Sequence, residues 1–180
     1  MARAFISVGS NINAEENVRL ALRRLCALTH LTGVSQFYRT APWGRAGQPP
    51  FINGVVAVET ELPPIEFKLT ILRHIEVELG RIRGEDKFAA RPIDLDLLLY
   101  DAVELASEEL MLPDPEITSR PFLALPLAQL APDLPLPGTH RCMREIAAAF
   151  QDADMQMLVD YTELLRKDIA QWIKKKSNDW

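Results

Sequence analysis

The spacing of apolar positions divides the chain into alternating strand-like and helix-like segments. Residues 4–8 form a short β-favouring run that ends in Gly9-Ser10-Asn11, residue types suited to a turn. Over residues 15–28, Val18, Leu20, Ala21, Leu22, Leu25 and Leu28 recur at helical spacing beside Arg19, Arg23 and Arg24, which predicts an amphipathic helix. Residues 34–38 read as a second strand. The next stretch, 39–50, holds three prolines and two glycines and predicts a loop. Residues 51–61 alternate Val56 and Val58 with smaller or polar neighbours. Pro63-Pro64 then opens a helix whose apolar face comprises Ile65, Leu69, Leu72, Ile75 and Leu79. Residues 80–92 carry Arg81, Arg83, Lys87 and Arg91 and form a basic loop. Residues 93–100 are a nearly continuous apolar run, the signature of a central strand, interrupted by Asp94 and Asp96.

The order βα, ββ, αβ matches a ferredoxin-like split βαβ domain of the α+β class, with an antiparallel sheet and helices on one side. A Pro-rich irregular segment at 112–121, a short helix near 122–130 and a turn at 135–138 decorate that frame. The tail, 155–175, sets Met157, Leu158, Tyr161, Leu164, Leu165, Ile169, Trp172 and Ile173 on one helical stripe. That stripe packs either on its own domain or against a second copy, so the expected state is a monomer or a homodimer through the C-terminal helix. Residues 1–150 form the domain, and 151–180 are its helical appendage.

Composition narrows the function. A chain of 180 residues, 48% hydrophobic and 25% charged, suits one globular domain. A net charge of −5 repels polyanions, so an anionic ligand must meet a local basic cluster, and nucleic-acid binding lacks both the basic balance and the aromatic signature. No apolar run approaches the roughly 20 residues that span a bilayer. The N-terminus enters a strand without a signal-peptide pattern, which predicts a cytoplasmic protein. Cys26 and Cys142 lack metal-type spacing and are expected to be packing residues.

In Ile93-Asp94-Leu95-Asp96-Leu97 the strand period of two points both carboxylates to one face and both leucines to the other. Such a pair needs a cation or an ion-pair network with nearby arginines. Hard oxygen ligands suit magnesium, which keeps positions for water and substrate phosphates. Arg81, Arg83, Lys87 and Arg91, just upstream, supply donors for phosphate oxygens.

Gly9-Ser10-Asn11, Phe37-Tyr38-Arg39-Thr40, Phe51-Ile52-Asn53, Ile75-Glu76, Gly80-Arg81-Ile82-Arg83, Arg91-Pro92-Ile93-Asp94-Leu95-Asp96 and Arg120-Pro121-Phe122 occur in one order along residues 4–150. In these pieces the chain resembles the 6-hydroxymethyl-7,8-dihydropterin pyrophosphokinases of folate biosynthesis. The resemblance implies transfer of pyrophosphate from magnesium ATP to the pterin hydroxymethyl oxygen, with release of AMP. It implies two Mg2+ ions on Asp94 and Asp96. Phe51 and Phe122 would sandwich the pterin, Asn53 would meet its amide edge, and Thr40, Ala41 and Trp43 would meet the remaining polar edge. Arg81 and Arg91 would act on the developing charge. Arg73, Glu76, Arg83, Lys87, Phe88, Arg91, Leu97, Asp114 and Arg120 would make up the ATP site.

The chain also departs from that family. Lys87-Phe88-Ala89-Ala90-Arg91 stands where an Arg-Trp pair and a proline are usual, so the planar guanidinium fork is replaced by a point charge. Pro113-Asp114 replaces a Pro-His pair, and Glu109 and Met111 stand where basic or hydroxyl groups are common. The pterin side is better kept than the nucleotide side. A relative using a modified pterin, or a pterin-binding module without turnover, is the alternative.

Overall fold

A computed structural model describes residues 1–42, 47–82, 84, 86 and 89–178. Five strands, two of them (β2 and β3) standing where one was expected, and two helical crossovers make the ferredoxin-like frame expected from the sequence. β1 (Ala2–Ser10) leads to α1 (Ala14–Leu28) and β2 (His30–Val34), followed by β3 (Tyr38–Thr40) and β4 (Phe51–Thr60). The second crossover runs through α2 (Pro64–Phe67), a π-turn (Lys68–Leu72) and α3 (Arg73–Glu78) into β5 (Asp94–Tyr100). The sheet order is β5-β1-β4-β3, with β2 also on β4, and all these pairings are antiparallel.

Alternation along the strands makes two cores. Ala4, Ile6, Val8, Val56, Val58, Leu95 and Leu97 face the crossover helices, among them Leu22, Leu25, Leu72 and Ile75. Phe5, Val55, Ala57, Leu98 and Leu99 face the other way. There they are covered by α4 (Pro121–Leu130) and α5 (Met143–Ala147), through Leu123, Leu127 and Ile146.

Three segments differ from the sequence expectation. The strand at 34–38 is two strands separated by Ser35-Gln36-Phe37. Val55 N–H donates to Ser35 Oγ at 2.9 Å, so a side chain replaces a ladder partner, and the chain kinks enough to drop Phe37 into the core. Phe37 fits only because residue 54 is glycine: a Cβ there would lie 2.7 Å from the ring. Arg39 and Thr40, expected in the loop, belong to β3.

The helix after Pro63-Pro64 contains the π-turn, which shifts its register. Phe67 and Leu72, five residues apart, are both fully buried, whereas Leu69 is 37% exposed. The tail begins as a strand, β8 (Gln156–Met157), paired with β3, and its helix α6 runs Val159–Asn178. Two short strands, β6 (Leu105–Ala106) and β7 (Met111–Leu112), form a separate hairpin. Leu165 and Ile169 pack on α1, while Met157 and Leu164 of the expected stripe are exposed. No described helix is long and apolar enough to cross a membrane.

Candidate active site

Partners in an antiparallel ladder share a face, so the register places chemistry in rows. Asp94 pairs with Gly9, Gly9 with Asn53 and Asn53 with Tyr38, which sets a carboxylate and a carboxamide on one row two strands apart. Asp96, Ser7 and Val55 form the neighbouring row. Only glycine fits between Asp94 and Asn53 in the first row, since a Cβ on residue 9 would lie 2.6 Å from Asn53 Oδ1. Asn53 Nδ2 donates to Thr40 Oγ1 at 2.8 Å, which fixes the carboxamide plane.

Above these rows lies a cleft of about 420 Å3, lined at one end by Thr40, Ala41, Phe51, Asn53 and Phe122 and at the other by Arg91, Asp94 and Asp96. Asp114, Glu116 and Arg120 complete its wall. A second cavity of about 320 Å3 is lined by Arg81, Asp86 and Arg91 together with the same Asp94 and Asp96. The two aspartates therefore stand at the junction of two binding spaces.

Asp94 is held by both arginines. Arg81 Nη1 bridges the carboxylates of Asp94 and Glu76, and Arg91 Nη1 lies 2.5 Å from Asp94 Oδ2. Glu76, only 1% exposed, also accepts from Leu95 N–H at 2.9 Å and so ties α3 to the strand that carries the aspartates. Burial disfavours the Arg81 cation, but the adjacent Asp94 and Glu76 carboxylates more than compensate and hold its pKa above the ordinary value.

Asp96 is different. Burial pushes its carboxyl up to about 7, and the negative charges of Asp94, Glu76 and Asp114 push in the same direction. No described side chain donates a hydrogen bond to it. The acids thus carry more negative charge than the described cations balance at Asp96, on a face where two carboxylates meet. That donor set fits magnesium, which takes one or two carboxylates and completes its shell with water and phosphate oxygen. Among the described residues no group of three or more acids, histidines or cysteines is placed to hold a metal alone.

Several residues expected at the site take other places. The side chain of Leu97 lies in the core on the opposite sheet face, as strand alternation dictates, and is 1% exposed. Glu76 and Arg73 line neither cavity, and Glu76 is committed to Arg81 and Leu95. Asp114 is in the cleft wall, but its Oδ1 accepts from Glu116 N–H at 2.8 Å and caps the short helical turn Pro115–Thr118. Burial raises its pKa. Arg120 donates to Glu116 Oε1 at 2.9 Å. Trp43, Arg83, Lys87 and Phe88 lie outside the described residues.

Asn11, expected only as a turn residue, joins the bases of two connecting segments. Its Nδ2 donates to Gln48 Oε1 at 3.1 Å, and its Oδ1 accepts from Arg91 N–H at 2.8 Å. Ser10 Oγ donates to Pro92 O at 2.6 Å. The signal was a polar triplet at a strand end, which reads as a turn until its partners 37 and 80 residues away are known.

Residues 5–132 match the family described as 7,8-dihydro-6-hydroxymethylpterin-pyrophosphokinase. The chain is 37% identical over 158 residues to the 2-amino-4-hydroxy-6-hydroxymethyldihydropteridine pyrophosphokinase of Haemophilus influenzae, covering 86% of this chain and 97% of that protein. It is 40% identical over 151 residues to the enzyme of the same name from Pseudomonas aeruginosa, covering 82% and 91%. A crystal structure of Plasmodium falciparum HPPK-DHPS superposes with a TM-score of 0.64 at 14% identity, over 84% of this chain and 43% of that longer one, a likeness of fold. With its rows of Asp94, Asp96 and Asn53 on the same ferredoxin-like sheet, the chain belongs to the 7,8-dihydro-6-hydroxymethylpterin-pyrophosphokinase family.

Proposed function

We propose that this chain transfers the pyrophosphoryl group of ATP to the hydroxymethyl oxygen of 6-hydroxymethyl-7,8-dihydropterin in folate biosynthesis, releasing AMP. The observation that carries the reading is one continuous cleft with an aromatic and carboxamide end and a carboxylate and guanidinium end, each anchored on the sheet. The pterin lies between Phe51 and Phe122, with its amide edge on Asn53 and its remaining polar edge toward Thr40 and Ala41. Offset stacking adds roughly 0.5–1.5 kcal/mol per aromatic pair beyond area burial.

The hydroxymethyl oxygen attacks the β-phosphorus as the bond from that phosphorus to the α–β bridging oxygen breaks. The bridging oxygen leaves with AMP, and the hydroxyl proton passes to solvent. No protein nucleophile is needed, because positioning and charge stabilisation supply most of phosphoryl-transfer catalysis. Arg91 and Arg81 face the phosphates, and Arg120, in the cleft wall, reaches the nucleotide. Asp94 and Asp96 would hold magnesium, as two ions, which would supply charge neutralisation for the phosphates. Arg81 and Arg91, paired with Asp94 here, are the groups a phosphate would compete for.

Leu165 and Ile169 of α6 are buried against the core that α1 shares, which favours the monomer over a dimer through that helix, and free thiols at Cys26 and Cys142 accord with a cytoplasmic enzyme. Incubation with ATP, magnesium and the dihydropterin, followed by chromatography, tests the function. AMP and pterin diphosphate must appear in equal amounts and disappear in Asp96→Ala. Pterin binding without AMP would reject turnover and leave a binding module.

A further inference from the structure

We propose that the C-terminal strand and helix, β8 and α6, are a positioning element for the acceptor half of the cleft, acting through Thr162. β3 is only three residues long, yet it carries Thr40, which orients Asn53, and it leads directly to Ala41. One side of β3 is held by β4. Its other side pairs with β8, Tyr38 with Met157 and Arg39 with Gln156.

The approach to β3 is held at Phe37 by the hydroxyl of Thr162 and by the backbone of Leu158. Thr162, fully buried on α6, accepts from Phe37 N–H at 3.0 Å and from Gln36 Nε2 at 2.9 Å, and its own O–H donates to Leu158 O at 2.8 Å. Leu158 N–H in turn donates to Phe37 O at 2.9 Å. The backbone of Phe37 is therefore fixed from the C-terminal segment and not from the sheet, while Gln36 N–H donates to Gln129 Oε1 on α4 at 2.9 Å. Phe37 also meets Tyr161 edge-on, with ring centroids 6.3 Å apart.

No described contact of α6 reaches Asp94, Asp96, Arg81 or Arg91. Loosening it should move the acceptor end of the cleft relative to the phosphate end, and do so selectively. The inference rests on the assignment of that end to the pterin.

The test compares the full chain with Thr162→Val, which keeps shape and removes the hydroxyl, and Thr162→Ser, which keeps the hydroxyl. Assays run well below each variant's Tm. The Val variant is expected to raise KM for the dihydropterin about tenfold, with KM for ATP within about twofold of wild type, and the Ser variant to restore the pterin value. If Thr162→Val does not fold, Gln156→Pro replaces it. This change at an exposed edge position removes the backbone donor opposite Arg39 and is expected to give the same selective rise. An active wild type whose folded variants keep the pterin KM, or lose both substrates equally, overturns the inference while leaving the function intact. A wild type that neither binds nor diphosphorylates the pterin overturns both.

Discussion

Replacing Asp96 by Asn in the metal-free protein should stabilise it above neutral pH. The wild-type carboxyl sits at about 7 in the fold, against 3.8 for the free side chain. Below 3.8 both states are protonated and the group contributes nothing to the pH dependence. Between these values the native state retains a proton that the unfolded state releases, so stability falls as pH rises, and the penalty is complete above about 7. At about 1.4 kcal/mol per pH unit the ceiling is roughly 4 kcal/mol, and water entering the cleft reduces the expectation to on the order of 1–3 kcal/mol. The neutral amide avoids this penalty, and no described donor is lost by the change. Urea unfolding in EDTA should show Asp96→Asn close to wild type at about pH 3.5 and progressively more stable than wild type toward pH 8. Added magnesium with nucleotide should then stabilise wild type by about 2.7 kcal/mol at a hundredfold excess over Kd and help the variant much less. A wild type as stable as the variant at pH 8 in EDTA would refute the idea that the fold strains this carboxylate until a cation arrives.

Two further perturbations probe the surroundings. Glu76→Ala leaves Leu95 N–H and part of the Arg81 charge unpaired in the interior, and should cost about 3 kcal/mol by denaturant unfolding and reduce kcat through Arg81. Phe122→Ala removes one face of the acceptor end and should raise KM for the dihydropterin about tenfold while sparing KM for ATP, as measured by initial rates with each substrate varied in turn.

Most of the frame was legible because the signals were local. The alternation in 93–100 fixed the facing of Asp94 and Asp96, and the helical spacing in 15–28 marked α1 to within one residue. What could not be read depended on partners remote in sequence. The break at Ser35 arises because its hydroxyl substitutes in the ladder of β4. The π-turn moves Phe67 inward and Leu69 outward against a regular helical count. β8 is too short for any periodicity to announce and exists because β3 offers it an edge. At the site, the motif spacing singled out Asp94, Asp96 and Asn53, which the strand register brings to one sheet face, but not the hydrogen-bond partners around them. Glu76 supports Arg81 from beneath, and Asp114 caps a turn, distinctions that only burial and hydrogen-bond direction reveal.

The register also explains why a sheet, and not the flanking loops, sets the reaction distance. Asp94 and Asn53 occupy one row with β1 between them, so their backbones are two strand spacings apart, roughly 9.5 Å. That span is locked by ladder hydrogen bonds and by a glycine that leaves the row open at its centre. In the proposed reaction, a planar acceptor anchored at the Asn53 end and a phosphate anchored at the Asp94 end would meet in between only if their reactive atoms extended inward from each anchor. The loops then need to supply charge and exclude water but not to measure distance, which is why a loop with Lys87 and Phe88 in unusual positions is compatible with the same chemistry. Changes there should alter nucleotide affinity and closure, whereas a bulkier residue at position 9 should disrupt the alignment itself by displacing Asn53.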